Sequence, residues 1–505
     1  MARNARPRRR RTSILFLLAI VLVLSGCGVR SAALEGVAEG RFAIGQTSPL
    51  NNLIPHPFTS SVQAWERALF DTLVTVDPQP RPGLARSWDV SPDGRTYTFH
   101  LVPGVRFTNG APLTAQVVVD NIGWAADPLH KVSGGAVLKP GQPEAVDPLT
   151  VRIRFPGPVP QLLSTLAVVP IMDLTSALAT RPVGTGPFRV AEFVPNDHLS
   201  LVRNDDYWDT AHRPSMSTYD LRVYADVPAA VAALSSGQIQ VLAFPPFDQV
   251  STLRAQGDRI VATDAPGNFM IRVNTSAGPL SNQLVRQAID ASIDREAFVR
   301  LTGSGTTQAN CSTYPPSSPV YTPEVGQCRY DPARAKDLLA RAGYPDGLDL
   351  TLDVSSVRQP EQTRFAQVWQ QDLAAIGVRL TLRNVSGTLF GTNVTSGRYE
   401  MSADWVPWGN ADPALLFITL TFTPGATSEK FARPEYAQMA AAAQTELDPA
   451  ARLQAYRAIN RYLTDQAFVI PIATRPYLYA VRPDIGAFDV DPLGMAVATS
   501  VASAA

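Results

Sequence analysis

Helix-period and strand-period segments alternate across two long stretches of this 505-residue chain, and no short-period repeat interrupts them. That alternation restricts the chain to mixed α/β lobes, each a sheet covered by helices. The length exceeds what one ordinary core supports, so two large lobes or three smaller domains are expected. Trp65, Ala68, Leu69 and Leu73 lie at helical spacing within 64–76, a helix running into a strand. Trp88 and Val90 alternate with polar residues, Ser91-Pro-Asp-Gly94 is turn chemistry, and Tyr97, Phe99 and Leu101 alternate again. That pattern predicts a β-hairpin. Thr114 is placed to cap a helix over 115–124, and Gly237 to end one over 229–236. Further helices are predicted over 284–302, over 331–343 with Asp331 as cap and Gly343 as stop, over 365–376 and over 449–466. Strands are predicted at 41–45, 151–155, 189–193, 198–202, 268–274, 378–382 and 468–473.

The amino terminus reads as an address. Arg3, Arg6 and the run Arg8 to Arg11 precede an unbroken apolar stretch of 11 residues over 14–24. At about 1.5 Å per residue such a helix falls short of a hydrocarbon core of about 30 Å, so it is a signal peptide and not a span. Leu24-Ser25-Gly26-Cys27 follows and resembles the bacterial lipobox. Cleavage there would remove residues 1–26 and leave Cys27 lipidated, with 27–35 as a tether. The other reading is an ordinary secretory signal with an incidental Cys. No later stretch has the 18 or so apolar residues of a spanning helix, so membrane contact is expected through the lipid alone.

Charge excludes one class of partner. The whole chain is neutral, but without residues 1–26 it holds 38 basic against 44 acidic residues, a net of −6. A nucleic-acid partner would need a basic face. With Cys27 lipidated, Cys311 and Cys328 remain, and an even pair in an exported chain reads as a disulfide worth about 3 kcal/mol. A metal site is the poorer alternative, because no His lies near them. The five His (His56, His100, His130, His198 and His212) show no metal-ligand spacing, and there is no G-x-S-x-G elbow. Gly184-Thr-Gly186 lacks the Lys and Ser/Thr of a phosphate loop. No enzyme, cofactor or metal is expected.

Several ordered segments carry a resemblance. Phe70-Asp-Thr-Leu-Val74, Pro82-Gly-Leu-Ala85, Trp88 and Ser91-Pro-Asp-Gly94 come first, then Thr96-Tyr-Thr-Phe99, Pro103-Gly-Val-Arg-Phe107 and Gly110-Ala-Pro-Leu-Thr114. Gly184-Thr-Gly-Pro-Phe188 with Asn204-Asp-Asp-Tyr-Trp208 follows, then Val285-Arg-Gln-Ala288 with Ile293-Asp-Arg-Glu296. Tyr330-Asp-Pro-Ala-Arg-Ala335 with Ala342-Gly-Tyr-Pro-Asp-Gly347 closes the series. Together these resemble the peptide/nickel class, family 5, of bacterial extracellular solute-binding proteins of ABC importers, over about 41–488. The resemblance implies a two-lobed periplasmic-binding-protein-like fold with an extra subdomain on lobe one and two hinge crossings. It places lobe one at 36–265 plus 476–505, the subdomain at 59–175, lobe two at 266–475, and the crossings near 266–274 and 470–477.

It also implies a monomer outside the cytoplasmic membrane that captures a small solute, a peptide or similar, and hands it to an ABC permease and ATPase complex. A receptor of the same fold that signals or acts as a chaperone without transport is the alternative. The candidate binding loop is Trp405-Val-Pro-Trp-Gly-Asn-Ala-Asp-Pro413, with Trp405, Trp408, Gly409, Asn410 and Asp412 as site residues. Each Trp is either a pocket wall or a core residue, and Asp412 either binds a cation or caps the following helix. Peptide-binding relatives often place an acid where this chain has Gly409. That departure points to a larger ligand, a peptide held through its backbone, or a non-peptide solute. Phe269, Arg272 and Asn274 are further cleft candidates, though strand alternation would bury about half of them. Arg272 would pair with a ligand carboxylate or with an acid of the chain.

Overall fold

The computed structural model describes residues 40–55, 63–76, 79–130, 132, 134–264, 267–276, 278–302, 304–327, 329–356, 359–407, 412–414, 422, 433–491, 494, 496–497 and 502–503. The signal segment 1–26, the tether 27–35, Cys27, Cys328, Trp408, Gly409 and Asn410 lie outside the described residues. Two large sheets define two lobes. The first is seven-stranded, and its strands run edge to edge Arg259–Ala262, Leu478–Val481, Val241–Ala243, Arg41–Gln46, Thr218–Val223, His198–Arg203 and Phe188–Val194. Arg41–Gln46 pairs in parallel with strands on both sides, so its residues from Phe42 onward are all buried. Trp65, Phe188, Tyr219 and Tyr479 fill the core beside it.

The second sheet has five strands in the order Val378–Asn384, Leu348–Val354, Met401–Pro407, Gly267–Val273 and Val469–Thr474. Gly267–Val273 is buried along its whole length, between two antiparallel neighbours and with a core on each face. Phe269, Ile271 and Val273 point to one core with Phe298, Phe365 and Trp369. Met270 points to the other, with Tyr314, Tyr436 and Tyr456. A bulge at Phe269/Met270 falls opposite Pro471, which has no N–H to give the ladder.

A four-stranded antiparallel sheet (Ala85–Val90, Thr96–Leu101, Thr150–Arg154, Gln142–Asp147) forms the extra subdomain of the first lobe, with a core of its own. The predicted hairpin is present: Trp88 faces Phe99 and Val90 faces Tyr97. Gly94 closes the turn at φ 65°, a left-handed conformation that a Cβ would strain, and its N–H donates to the Ser91 carbonyl at 2.8 Å. Val90 is 44% exposed, because it sits at the end of an edge strand beyond the covering helices.

Caps fall largely where the residues put them. Thr114 accepts from the Val117 N–H to start the helix Ala115–Ala126, and Asp331 accepts from the Arg334 N–H at 2.9 Å to start Pro332–Arg341. The single helix expected over 284–302 is two, Gln283–Ala291 and Arg295–Thr302. Ser292 returns its hydroxyl to the Ile289 carbonyl, and Asp294 accepts from the Ala297 N–H, so one helix ends and a new one is capped within three residues.

The chain leaves the seven-stranded sheet after Ala262 and enters the five-stranded sheet at Gly267. It returns between Thr474 and Leu478. The first crossing therefore precedes the 266–274 stretch, most of which is a strand of the second lobe.

Candidate functional site

The two crossings lie side by side, and the Arg475 N–H donates to the Gly267 carbonyl at 2.8 Å. Above them an aromatic and cationic group joins the lobes. Trp405 comes from the second lobe, where its strand is paired with Gly267–Val273 in the register Trp405 to Phe269. The strand ends at the lobe junction, and the half-buried Trp405 ring packs against the cores of both lobes. It meets Tyr477 edge-on with ring centroids 6.1 Å apart, and the Arg475 guanidinium lies 4.0 Å over its ring. Phe244 packs edge-on to Tyr477 at 5.3 Å and holds φ 56°. A bulky residue there is strained and persists only where its surroundings fix it. Burial pushes the Tyr477 phenol up to about 12 despite the nearby Arg475 charge. Burial likewise pushes the Arg475 guanidinium below its ordinary range, against the opposing influence of Tyr477, Glu361 and Asp404.

Beside this group lies a polar network rooted in the second lobe. Arg272 Nε donates to Asp404 Oδ2 at 3.0 Å, with both side chains almost wholly buried. Gln359 Nε2 donates to Asp404 Oδ1 at 3.3 Å. Gln362 Nε2 donates to the carbonyls of Met270 and Asp404, tying the helix Pro360–Ala375 to two adjacent strands. Arg272 is thus half of an ion pair within the chain. Phe269 is fully buried between Phe247 at 5.5 Å and Phe298 at 5.0 Å, the setting of a core residue. Asn274 donates to the Tyr399 carbonyl and accepts from the Ser276 N–H and hydroxyl, so it shapes a turn.

Asp412 is buried and accepts both bonds of Arg452 Nη2 at 2.8 and 2.9 Å, together with the Ala414 N–H at 2.8 Å. Burial by itself pushes the Arg452 guanidinium down, but the Asp412 carboxylate together with Tyr456 more than offsets this and holds it above its ordinary value. Asp412 also accepts from Ser164 Oγ of the subdomain at 3.2 Å, across the gap between lobes. Its side chain is an ion-pair partner that also accepts from the backbone two residues on, and the helix it is expected to cap lies outside the described residues. Among the described residues no group of three His, Cys, Asp or Glu could hold a metal ion. Cys311 is buried and disulfide-bonded.

The structure therefore joins Trp405 to three residues that sequence reasoning did not single out: Arg475, Tyr477 and Phe244. Arg475 left a signal, a lone cation before a proline inside the expected second crossing. Phe244 left none, because its neighbours do not announce a left-handed backbone.

Comparison with known proteins agrees with this geometry. The profile described as bacterial extracellular solute-binding proteins, family 5 Middle, matches residues 79–428, more than half of the chain. The dipeptide-binding protein of Escherichia coli (strain K12) is 27% identical over 457 residues, which are 82% of this chain and 84% of that one. The glutathione-binding protein GsiB of Pectobacterium atrosepticum is 31% identical over 372 residues, 69% and 71% of the two chains. Among solved structures, the ABC transporter substrate binding protein CtaP from Listeria monocytogenes superposes with a TM-score of 0.81 at 23% identity, over 92% of this chain and 99% of that one. DppA from Helicobacter pylori, in complex with the peptide STSA, gives 0.78 at 23% identity, over 92% and 98%. Two lobes on two crossings, with a family match through most of their length, settle the assignment: this chain belongs to the family 5 bacterial extracellular solute-binding proteins.

Proposed function

We propose that this chain is the solute receptor of an ABC importer, anchored through Cys27 at the outer face of the cytoplasmic membrane. It captures a peptide or similar small solute between its lobes as a monomer and hands it to the permease and ATPase complex without changing it chemically. The observation that carries this reading is Trp405, which belongs to one lobe yet packs on the cores of both beside the two crossings. A solute held there touches both lobes, so its binding energy goes into closure, and the shift equals its differential affinity for the closed form. The dipeptide and glutathione receptors among its relatives support a peptide-like solute. Among the described residues no helix is long and apolar enough to cross a membrane. That fits a soluble body tethered by lipid.

The test is small-angle scattering of the mature chain with di- to pentapeptides and glutathione, alongside uptake in a deletion strain. Compaction with one class of solute, and loss of its uptake on deletion, are expected. An unchanged scattering profile with every solute, or unimpaired uptake, would overturn the reading. Trp405→Ala should weaken solute binding by up to about tenfold, measured by calorimetry, because it removes an aromatic wall worth about 0.5–1.5 kcal/mol.

A further inference from the structure

Arg475 occupies the second crossing, and among the described residues no carboxylate comes within ion-pair distance of it. Other buried or half-buried arginines among the described residues are engaged. Arg272 pairs with Asp404 and Arg452 with Asp412. Arg286 donates to the carbonyls of Leu280, Ser281 and Gln466, and Arg295 to Asp290 and the Pro471 carbonyl. Arg475 makes no ion pair among the described residues, and its Nε is buried without a hydrogen-bond partner. Its guanidinium rests on aromatic faces, 4.0 Å from the Trp405 ring and 5.7 Å from that of Phe269. Stacking uses the face of a guanidinium and leaves its N–H fork in the plane, directed sideways. A fork so held is preorganised for a two-oxygen anion.

Two carboxylates influence Arg475 without reaching ion-pair distance. Asp404 has its oxygens taken by Arg272 and Gln359. Glu361, in the first turn of Pro360–Ala375, is buried and makes no hydrogen bond or ion pair among the described residues. Their negative field disfavours a doubly charged phosphate more than a singly charged carboxylate. We infer that Arg475, stacked on Trp405 at the lobe junction, anchors a carboxylate of the bound solute. This rests on the solute-receptor reading and narrows it to carboxylate-bearing solutes. Because Arg475 lies on a crossing, the anchored group sits where both lobes meet, and its capture favours the closed form.

The experiment uses the mature chain and its Arg475→Leu and Arg475→Lys variants, each checked for fold by circular dichroism and thermal melting. Calorimetry measures glutathione and a set of free-acid di- to pentapeptides, the same peptides as carboxyl-terminal amides, and inorganic phosphate. Mass spectrometry identifies the solutes released from the wild type on denaturation. The wild type should bind at least one free acid tenfold or more tighter than its amide, and the released solutes should carry carboxylates. That preference should collapse to within twofold in Arg475→Leu and survive in part in Arg475→Lys. Equal affinity for acid and amide in the wild type, released solutes without a carboxylate, tighter binding of phosphate, or a preference unchanged in Arg475→Leu would each overturn the anchor while leaving the receptor reading intact. A wild type that carries no solute and binds no probe would overturn both. If Arg475→Leu fails to fold, the acid-to-amide ratio of the wild type and of Arg475→Lys decides the matter.

Discussion

Arg272 and Asp404 show how much a single buried charge can govern. Their ion pair is almost fully desolvated, and Gln359 occupies the second oxygen of Asp404. Removing one partner leaves the other charged and buried, which costs about 3–5 kcal/mol. Arg272→Ala should therefore lower unfolding stability by roughly 3 kcal/mol in urea titrations, whereas Arg272→Met with Asp404→Leu should lose far less. A double variant as unstable as the single one would show that the pair is worth more than its desolvation cost. A smaller pH effect sits at the surface. His198 is held above its ordinary value first by its hydrogen bond to Asp197 and further by Glu192. A group raised on folding contributes stability that is complete below its unfolded pKa of about 6.5 and fades as pH rises through the folded value. Proton NMR titration should show the His198 pKa falling in Asp197→Asn. No fall would remove the hydrogen bond as the cause.

Elements were legible where local chemistry decides them. Thr114, Gly237 and Asp331 each stand where a cap acts, because a cap depends on residues only three or four positions away. The break at Ser292–Asp294 was hidden by apolar residues that keep helical spacing on both sides of it. Asp294 alone marks the new start, and Asp294→Ala should cost about 1 kcal/mol in thermal or urea unfolding. A loss below 0.3 kcal/mol, the scale of an ordinary surface change, would deny Asp294 the capping role. The site was harder to read than the elements. Phe269 and Arg272 lie on the strand expected to matter, but core packing and an ion pair take them, and which face a residue shows depends on neighbours far away in sequence. Trp405 was visible as an aromatic on a loop-like segment. Its contacts with Tyr477 and Arg475, some 70 residues on, come only from sheet order.

At the scale of the whole molecule, the described residues bring the lobes together both beside the crossings and away from them, with different consequences. Beside the crossings, Phe247 packs on Phe269, Arg364 pairs with Asp248 at 3.1 Å, and Arg254 donates to the Ser304 carbonyl at 2.9 Å. Contacts close to a hinge axis change little as the lobes rotate. Away from the crossings, the subdomain meets the second lobe. Ser164 donates to Asp412 at 3.2 Å, and Gly94 lies so near Leu447 that a Cβ on Gly94 would collide with it. Arg452 and the Ala414 N–H hold Asp412 within the second lobe, so in the proposed closing motion the Ser164 bond is made only in the arrangement that brings the subdomain against that lobe. On the proposed mechanism such a bond stabilises the closed form and is indifferent to the folding of either lobe. A net hydrogen bond to a charged group contributes about 1.5 kcal/mol, or roughly tenfold in an equilibrium. Ser164→Val should therefore weaken solute affinity by up to about tenfold, mostly through faster dissociation, while the melting temperature without solute stays within about 2 °C. Stopped-flow release and calorimetry separate the two effects. An affinity unchanged in Ser164→Val would mean that the subdomain contact follows closure without favouring it, and that the residues at the crossings alone hold the lobes together on the solute.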